Sequence, residues 1–218
     1  MTTSNPTPIN LLEPINLHDE IQFASLQHQR LLCGWSHSTS ILEAWRAAID
    51  ARTQAMFWVV PPSTSHLPAH QRYAGHVGML RKTFPNENGI DNPLPELEVM
   101  NIGNLFILPE HRGGGLARKA VRAIEDMAKV EPYGWPGCKA MTLDTLAKRY
   151  VEDDELRGMA ASAHVRFGAV LPEKGRSNED WYARMGYVKW KEVPLYPAVD
   201  DDGGEFMFLA SFMWKPLE

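Results

Sequence analysis

The stretch Leu105-Phe106-Ile107-Leu108-Pro109-Glu110-His111-Arg112-Gly113-Gly114-Gly115-Leu116-Ala117 constrains the fold of this chain more than any other. An apolar β-type run stops at a proline, an Arg-Gly-Gly-Gly turn follows, and a helix begins at once. From Leu116 to Lys129, Ala117, Ala120, Val121, Ile124, Met127 and Ala128 recur at helical spacing. Arg118, Lys119, Arg122, Glu125 and Asp126 fill the opposite face. This order builds a cradle for an anion of the pyrophosphate type. Glycines let oxygens approach the backbone, and the first helix N–H groups lack intrahelical partners and carry the positive end of the helix dipole. Arg112 adds a fixed charge with several donors.

Two familiar cradles do not fit. A nucleoside-triphosphate loop needs Gly-x-x-x-x-Gly-Lys-Ser/Thr, and no lysine and hydroxyl pair follows this turn. The dinucleotide fingerprint needs Gly-x-Gly-x-x-Gly, whereas these glycines are contiguous and Ala117 closes the motif. Arg112, Gly115 and Ala117 do spell Arg-x-x-Gly-x-Ala after a strand ending in Pro-Glu-His. This resembles the acetyl-CoA signature of the GNAT superfamily of acetyltransferases. A second segment, Trp181-Tyr182-Ala183-Arg184-Met185-Gly186-Tyr187-Val188, resembles the family's aromatic-Tyr-x-x-x-Gly-aromatic run. There a short helix ends at a glycine suited to the left-handed C′ position and passes into a strand. The resemblance covers roughly Ala74 to Val193.

The resemblance implies an α/β fold of α+β type: a mixed, mostly antiparallel central sheet, flanked by helices, with a bulged and splayed central strand. Gly103, inside Asn101-Ile102-Gly103-Asn104, marks the expected bulge. It further implies that Phe106, Ile107 and Leu108 offer backbone groups to the pantetheine arm of acetyl-CoA, the co-substrate. One of their N–H groups would polarise the thioester carbonyl. Arg112, Gly113, Gly114, Gly115, Leu116 and Ala117 would hold the pyrophosphate.

Transfer to an amine needs no enzyme nucleophile, because the thioester carbon is already electrophilic. The chain has no Gly-x-Ser-x-Gly elbow, and neither cysteine has a partner nearby in sequence. Tyr182 matches the family tyrosine that protonates the departing thiolate. For the base, Glu98 on the central strand is the first expectation, ahead of His76 on the preceding strand and of a water chain without a single base. Asn101 sits closer to the bulge but cannot act as a base. The acceptor is expected to be a primary amine of a small molecule. A protein lysine or N-terminus, and a non-catalytic acyl-CoA-binding module, are the alternatives.

The 218 residues, 44% of them apolar, suffice for one core, so a single domain over 1–218 is expected, with a frayed start over 1–10. A net charge of −5 argues against a nucleic-acid partner. No apolar run approaches membrane-spanning length, no leader is visible, and Cys33 and Cys138 lack metal spacing, which fits a cytoplasmic protein without a metal. The resemblance also admits a homodimer formed through sheet edges or C-terminal strands.

Helices are expected over Leu17–Gly34 and Ile41–Gln54, the second capped by Ser38 or Ser40. Strands are expected over Met56–Val60, Ala74–Lys82, Glu96–Leu108, Ala140–Thr145, Tyr187–Glu192 and Gly204–Trp214, with a turn-rich loop over Thr83–Pro95. Between Lys148 and Asp180 the chain spends more residues than the family's usual link. This insertion, with its acidic run Glu152-Asp153-Asp154-Glu155, His164 and the apolar Phe167–Leu171, is expected to shape the acceptor pocket and draw in a cation. The family's asparagine on this link has no clear match, Asn178 being poorly spaced.

Overall fold

The computed structural model describes residues 11–82, 98–166, 171–199 and 204–218; for 69, 70, 82, 98, 161–166, 198 and 199 the backbone alone is described. The expected frayed start, the Thr83–Pro95 loop, Glu96, most of the Phe167–Leu171 stretch and the His164 side chain lie outside the described residues.

The order of elements is β1 (Leu12–Pro14), α1 (Glu20–Cys33), α2 (Thr39–Asp50), β2 (Gln54–Val59), α3 (Ala69–Arg72), β3 (Gly75–Lys82), β4 (Glu98–Ile107), α4 (Leu116–Met127), β5 (Cys138–Leu146), α5 (Arg149–Glu152), α6 (Asp154–Arg166), α7 (Asn178–Ala183), β6 (Val188–Val199) and β7 (Glu205–Pro216). The strands form one sheet in the order β1-β2-β3-β4-β5-β7-β6. Only β4 and β5 run parallel. A parallel pair needs a crossover, and α4 supplies it.

The helices cover both faces of the sheet. On one, Ala120, Val121 and Ile124 of α4 pack on Phe57, Val77, Met79, Met100, Met141 and Leu143. On the other, Leu26 of α1 and Leu42 of α2 pack on Met56 and Trp58. β2 is therefore buried on both faces, and its Ala55-Met56-Phe57-Trp58-Val59 run is apolar throughout instead of alternating. Leu26 and Leu42 are fully buried, and truncating either to alanine would cost about 2–5 kcal/mol.

Local signals set the helix ends. The Asp19 carboxylate accepts from the Ile21 and Gln22 amides, and Gly34 closes α1 at φ 82°. Ser38 caps α2, in agreement with one of the two expected serines. Expected and observed elements otherwise differ by a few residues, with five exceptions. β1 is too short to carry a periodic signal. α3, α5 and α6 fall where no helix was expected. β6 runs to Val199 through Pro194 and Pro197, residues that a central strand would exclude but an edge strand tolerates.

The Lys148–Asp180 segment is structured where it is described. Tyr150, Leu156, Ala160 and Leu171 pack with Tyr196, Phe206 and Phe208 of the β6–β7 hairpin. Its acidic run is spent locally. Asp153 caps α6 by accepting from the Glu155 and Leu156 amides. Glu152 accepts from the Gly175 amide, and Asp154 pairs with Lys174. Glu152, Asp153 and Asp154 thus serve caps and ion pairs of their own segment.

Candidate active site

β4 and β5 are paired from Glu98 opposite Cys138 to Ile102 opposite Leu143, and no further. β4 nevertheless continues to Ile107 and β5 to Leu146, so the two strands part and leave a fork. The cause is a bulge in β4. Opposite β3, His76 faces Phe106 and Gly78 faces Gly103, so two steps on β3 match three on β4. Asn104 adopts φ 57° within this bulge, and asparagine is among the few non-glycine residues that tolerate this region. The bulge thus lies at Asn104, beside the glycine from which it was expected. Gly103 has its own reason to be small: a Cβ there would lie 2.8 Å from Leu80 Cδ1.

The three residues after the bulge do not face the fork alike. The Leu108 N–H donates to the Ala74 carbonyl at 2.9 Å, toward β3. Strand alternation turns Phe106 the same way, which leaves the Ile107 backbone toward the fork. Of the three expected backbone donors, Leu108 is therefore committed to β3, and Ile107 is the one aimed at the gap. The Ile107 carbonyl accepts from Arg112 Nε at 2.8 Å, and the Arg112 guanidinium lies 5.5 Å from the Phe106 ring centre. Arg112 thus clamps the end of β4 through Nε, and its Nη groups remain as anion donors.

A 3₁₀ turn, Pro109–His111, leads into the glycines. Gly113 (φ 87°) and Gly115 (φ 72°) take left-handed conformations, and a Cβ built on Gly113, Gly114 or Gly115 meets nothing within 4 Å. Space, not packing, lies above this turn. Gly115 is the N-cap of α4 and offers no side-chain acceptor to its first amides. The start of α4, with Leu116 and Ala117, is left as donors over open space, which fits a bound anion.

Tyr182 sits on α7 with its ring between Trp181 and Tyr187, at centroid distances of 4.7 and 5.6 Å. Ser177 caps α7, and Gly186 follows at φ 94°, as expected for the helix-to-strand passage. The Tyr182 side chain is buried, and no described residue hydrogen-bonds its hydroxyl. Burial first, then the negative charge of Asp144, raises its pKa above the ordinary phenol value, so it stays a proton donor. A polar latch holds this helix. Glu179 Oε2 accepts from Ser211 Oγ at 2.6 Å and from the Lys148 amide at 3.0 Å, and Oε1 pairs with Lys189 at 2.8 Å. Burial opposes the Glu179 charge, but these donors outweigh it and lower its pKa.

The expected bases fare differently. Glu98 is the first residue of β4, four residues before the strands part. At about 3.3 Å per residue that places its backbone about 13 Å from the start of the fork. Its side chain lies outside the described residues. His76 is fully buried, with Nδ1 2.8 Å from Gln29 Oε1 and Nε2 3.4 Å from Arg30 Nη1. Since Arg30 can only donate, His76 Nε2 accepts and Nδ1 donates to Gln29. Burial, with the Arg30 charge, holds its pKa well below the usual imidazole range. Its one lone pair is occupied, which makes His76 a packing residue and removes it as a base. Asn101 is buried and donates to Thr142 Oγ1 at 3.2 Å across the last paired residues.

The structure adds an acid that the sequence reading passed over. Asp144 is the first β5 residue beyond the pairing with β4. Leu143 faces α4, so by alternation Asp144 faces the side covered by α1 and α2. Asp144 Oδ2 accepts from Tyr196 Oη at 2.7 Å. The Tyr196 ring in turn meets Trp35, from the α1–α2 connection, at 5.9 Å. A lone acid inside an otherwise core-forming strand, Ala140-Met141-Thr142-Leu143-Asp144, was the available signal.

Among the described residues, no group of three or more His, Cys, Asp or Glu could hold a metal ion, and no helix is long and apolar enough to cross a membrane. Among the described residues, neither Cys33 nor Cys138 forms a disulfide.

Residues 24–152, more than half of the chain, match the model of the acetyltransferase (GNAT) family. The match ends where α5 begins the long segment that separates β5 from Tyr182. No match is found among curated proteins. Among solved structures, the chain is similar to an aminoglycoside 6'-N-acetyltransferase complexed with coenzyme A, with TM-score 0.57 and 11% identity over 95% of this chain and 97% of the other. It is similar to Arabidopsis thaliana NAA60 in complex with acetyl-CoA, with TM-score 0.57 and 14% identity over 94% and 97%. It is also similar to a spermidine N-acetyltransferase SpeG chimera from Vibrio cholerae and hSSAT, with TM-score 0.52 and 12% identity over 94% and 95%. At such identities the likeness is one of fold. With the forked sheet, the glycine cradle and the family match together, this chain belongs to the GNAT acetyltransferase family.

Proposed function

We propose that the protein transfers an acetyl group from acetyl-CoA directly to a primary amine of a small molecule. The observation that carries this reading is the fork between β4 and β5. It has the Ile107 N–H on one arm and the uncapped start of α4 at its mouth, with Tyr182 in the same core as α4 and within reach of the Asp144 charge. Residues 113–117 and the Arg112 Nη groups would hold the pyrophosphate. The Ile107 N–H would polarise the thioester carbonyl, the place where negative charge grows during attack. Tyr182 would protonate the departing thiolate, a task suited to a phenol that keeps its proton at neutral pH.

A small acceptor is favoured by the contact between Trp35 and Tyr196. It joins the α1–α2 connection to β6 and would narrow the acceptor side against a polypeptide. Among the similar structures, one is named for aminoglycosides and one for spermidine, while the NatC complex was solved with Gag peptide and CoA.

Calorimetry with acetyl-CoA, CoA and a longer acyl-CoA tests the first half of the reading; binding of none would end it. Free-thiol release with spermidine, kanamycin A and a free-amine tetrapeptide tests the second half. Faster release with the tetrapeptide than with either small amine would overturn the small-molecule assignment.

A further inference from the structure

Resting on that reading, we infer that Asp144 is the receptor for the acceptor's ammonium group and the first acceptor of its proton, so that the substrate is a cationic amine. Four observations support this. Asp144 is the first residue of β5 freed from β4, so it stands at the crotch of the fork where donor and acceptor must meet. Tyr196 engages Oδ2 at 2.7 Å, while Oδ1 has no hydrogen-bond partner among the described residues. One carboxylate oxygen is thereby oriented and the other left open. Among the described residues no lysine or arginine is paired with Asp144, unlike Glu125, Glu179, Asp180 or Glu192. Finally, its charge acts on Tyr182, which packs on the α4 face while Asp144 lies on the other.

The groups around Asp144 fit a carboxylate that awaits a cation. Tyr196 on β6 and Tyr182 on α7 are the titratable neighbours, and burial followed by the Asp144 charge raises both phenols above their ordinary pKa. On β7 its register partner is Phe212, and across the fork Gly103 and Asn104 carry no charge. From the α1 side, Arg30 is engaged by the Trp35 carbonyl at 2.9 Å and by His76 at 3.4 Å. Trp35 and Tyr196 wall the position with aromatic surface, which suits the carbon skeleton of an amine and strengthens an ion pair by excluding water.

The proton balance closes. The bound ammonium carries three protons. Asp144 takes one, freeing the nitrogen lone pair to form the N–C bond as the C–S bond breaks. Tyr182 gives its proton to the sulfur and is restored by a second proton from the nitrogen; the third remains on the amide. Asp144 then releases its proton to solvent, so the net products are amide, CoA thiol and one proton.

The test uses Asp144→Asn, which keeps an oxygen for Tyr196 but removes the charge. First, acetyl-CoA binding is measured by calorimetry; equal affinity in both proteins within twofold establishes that the cradle and fold are intact. Then n-butylamine, an ammonium at pH 7, is titrated into the CoA-saturated proteins, with n-butanol as the uncharged control. The expected result is binding of butylammonium by the wild type, at least tenfold weaker in Asp144→Asn, with butanol unaffected by the substitution. Among spermidine, kanamycin A and the tetrapeptide, the amine turned over fastest should lose 10²-fold or more in kcat/KM. Tyr196→Phe, which keeps the charge, should retain butylammonium binding within threefold. Equal butylammonium affinity in wild type and Asp144→Asn, or no saturable binding by the wild type, would overturn the inference while leaving the acetyl-CoA reading intact. Failure to bind any CoA species would instead remove the reading beneath it.

Discussion

Replacing Tyr182 with phenylalanine separates a chemical role from a packing role. The ring is held between Trp181 and Tyr187 and belongs to the core beside α4. Phenylalanine keeps that ring and those contacts. The hydroxyl has no hydrogen-bond partner among the described residues, so its loss breaks no bond to them. Stability should therefore change by less than about 1 kcal/mol, which for a chain of this length is a Tm shift within about 2–4 °C. Acetyl-CoA affinity should change less than threefold, since the cradle lies on β4 and α4. Catalysis should not survive so well. Loss of a positioned proton donor typically costs about 10²–10³-fold, equivalent to about 2.7–4 kcal/mol in the barrier. The assay is free-thiol release under saturating acetyl-CoA, run beside calorimetry and thermal unfolding. Because burial and the Asp144 charge raise the Tyr182 pKa, its deprotonation should not produce the basic limb of the wild-type profile. A Tyr182→Phe protein with wild-type Tm and CoA affinity that retains kcat within threefold would refute the proton-donor assignment.

Gly114→Ala should leave Tm unchanged, since a Cβ there meets nothing within 4 Å, yet weaken acetyl-CoA at least tenfold in calorimetry by intruding on the cradle. Gly75→Ala should do the opposite in kind: its Cβ would stand 2.2 Å from the Phe106 carbonyl, a backbone atom that cannot step aside. Overpacking of about 1–3 kcal/mol should lower Tm by roughly 2–12 °C and displace the β4 arm of the fork, weakening CoA binding as well. His76 gives a pH signature in unfolding experiments. Its folded pKa is depressed by burial, so its contribution is fully present above the unfolded value of about 6.5 and shrinks as pH falls below that, by about 1.4 kcal/mol per unit. His76→Gln should flatten the stability profile between pH 6.5 and 5; an unchanged slope would show that other groups set it.

Much of this molecule is legible in its sequence because the signals are local. The proline at 109, the contiguous glycines and the amphipathic run after Leu116 fix the strand, turn and helix of the cradle within thirteen residues. Gly34 and Gly186 occupy the left-handed positions that only glycine adopts cheaply, and Ser38 caps α2 with its own hydroxyl. The helix-to-strand passage that carries Tyr182 is legible in the same way, through its spacing from Gly186. These features depend on backbone dihedrals and helical periodicity, which neighbouring residues determine among themselves.

Other features depend on which strands lie side by side, and no local pattern encodes that. The choice among Phe106, Ile107 and Leu108 required knowing that Leu108 is spent on Ala74 of β3. Glu98 looked central because it begins the central strand, but the register puts it at the paired end and the fork at the other. His76 carried a suitable reference pKa until Gln29 and Arg30, 47 and 46 residues away, claimed both of its nitrogens. Asp144, Tyr196 and Trp35 come from three distant segments and have no shared motif. Sequence alone determined the cradle, because a phosphate-type site made of backbone amides needs only the right run of dihedrals. Tertiary structure alone decided the acceptor side, because a carboxylate becomes a receptor through the strand that leaves it unpaired, the phenol that orients it and the aromatic wall that keeps water away.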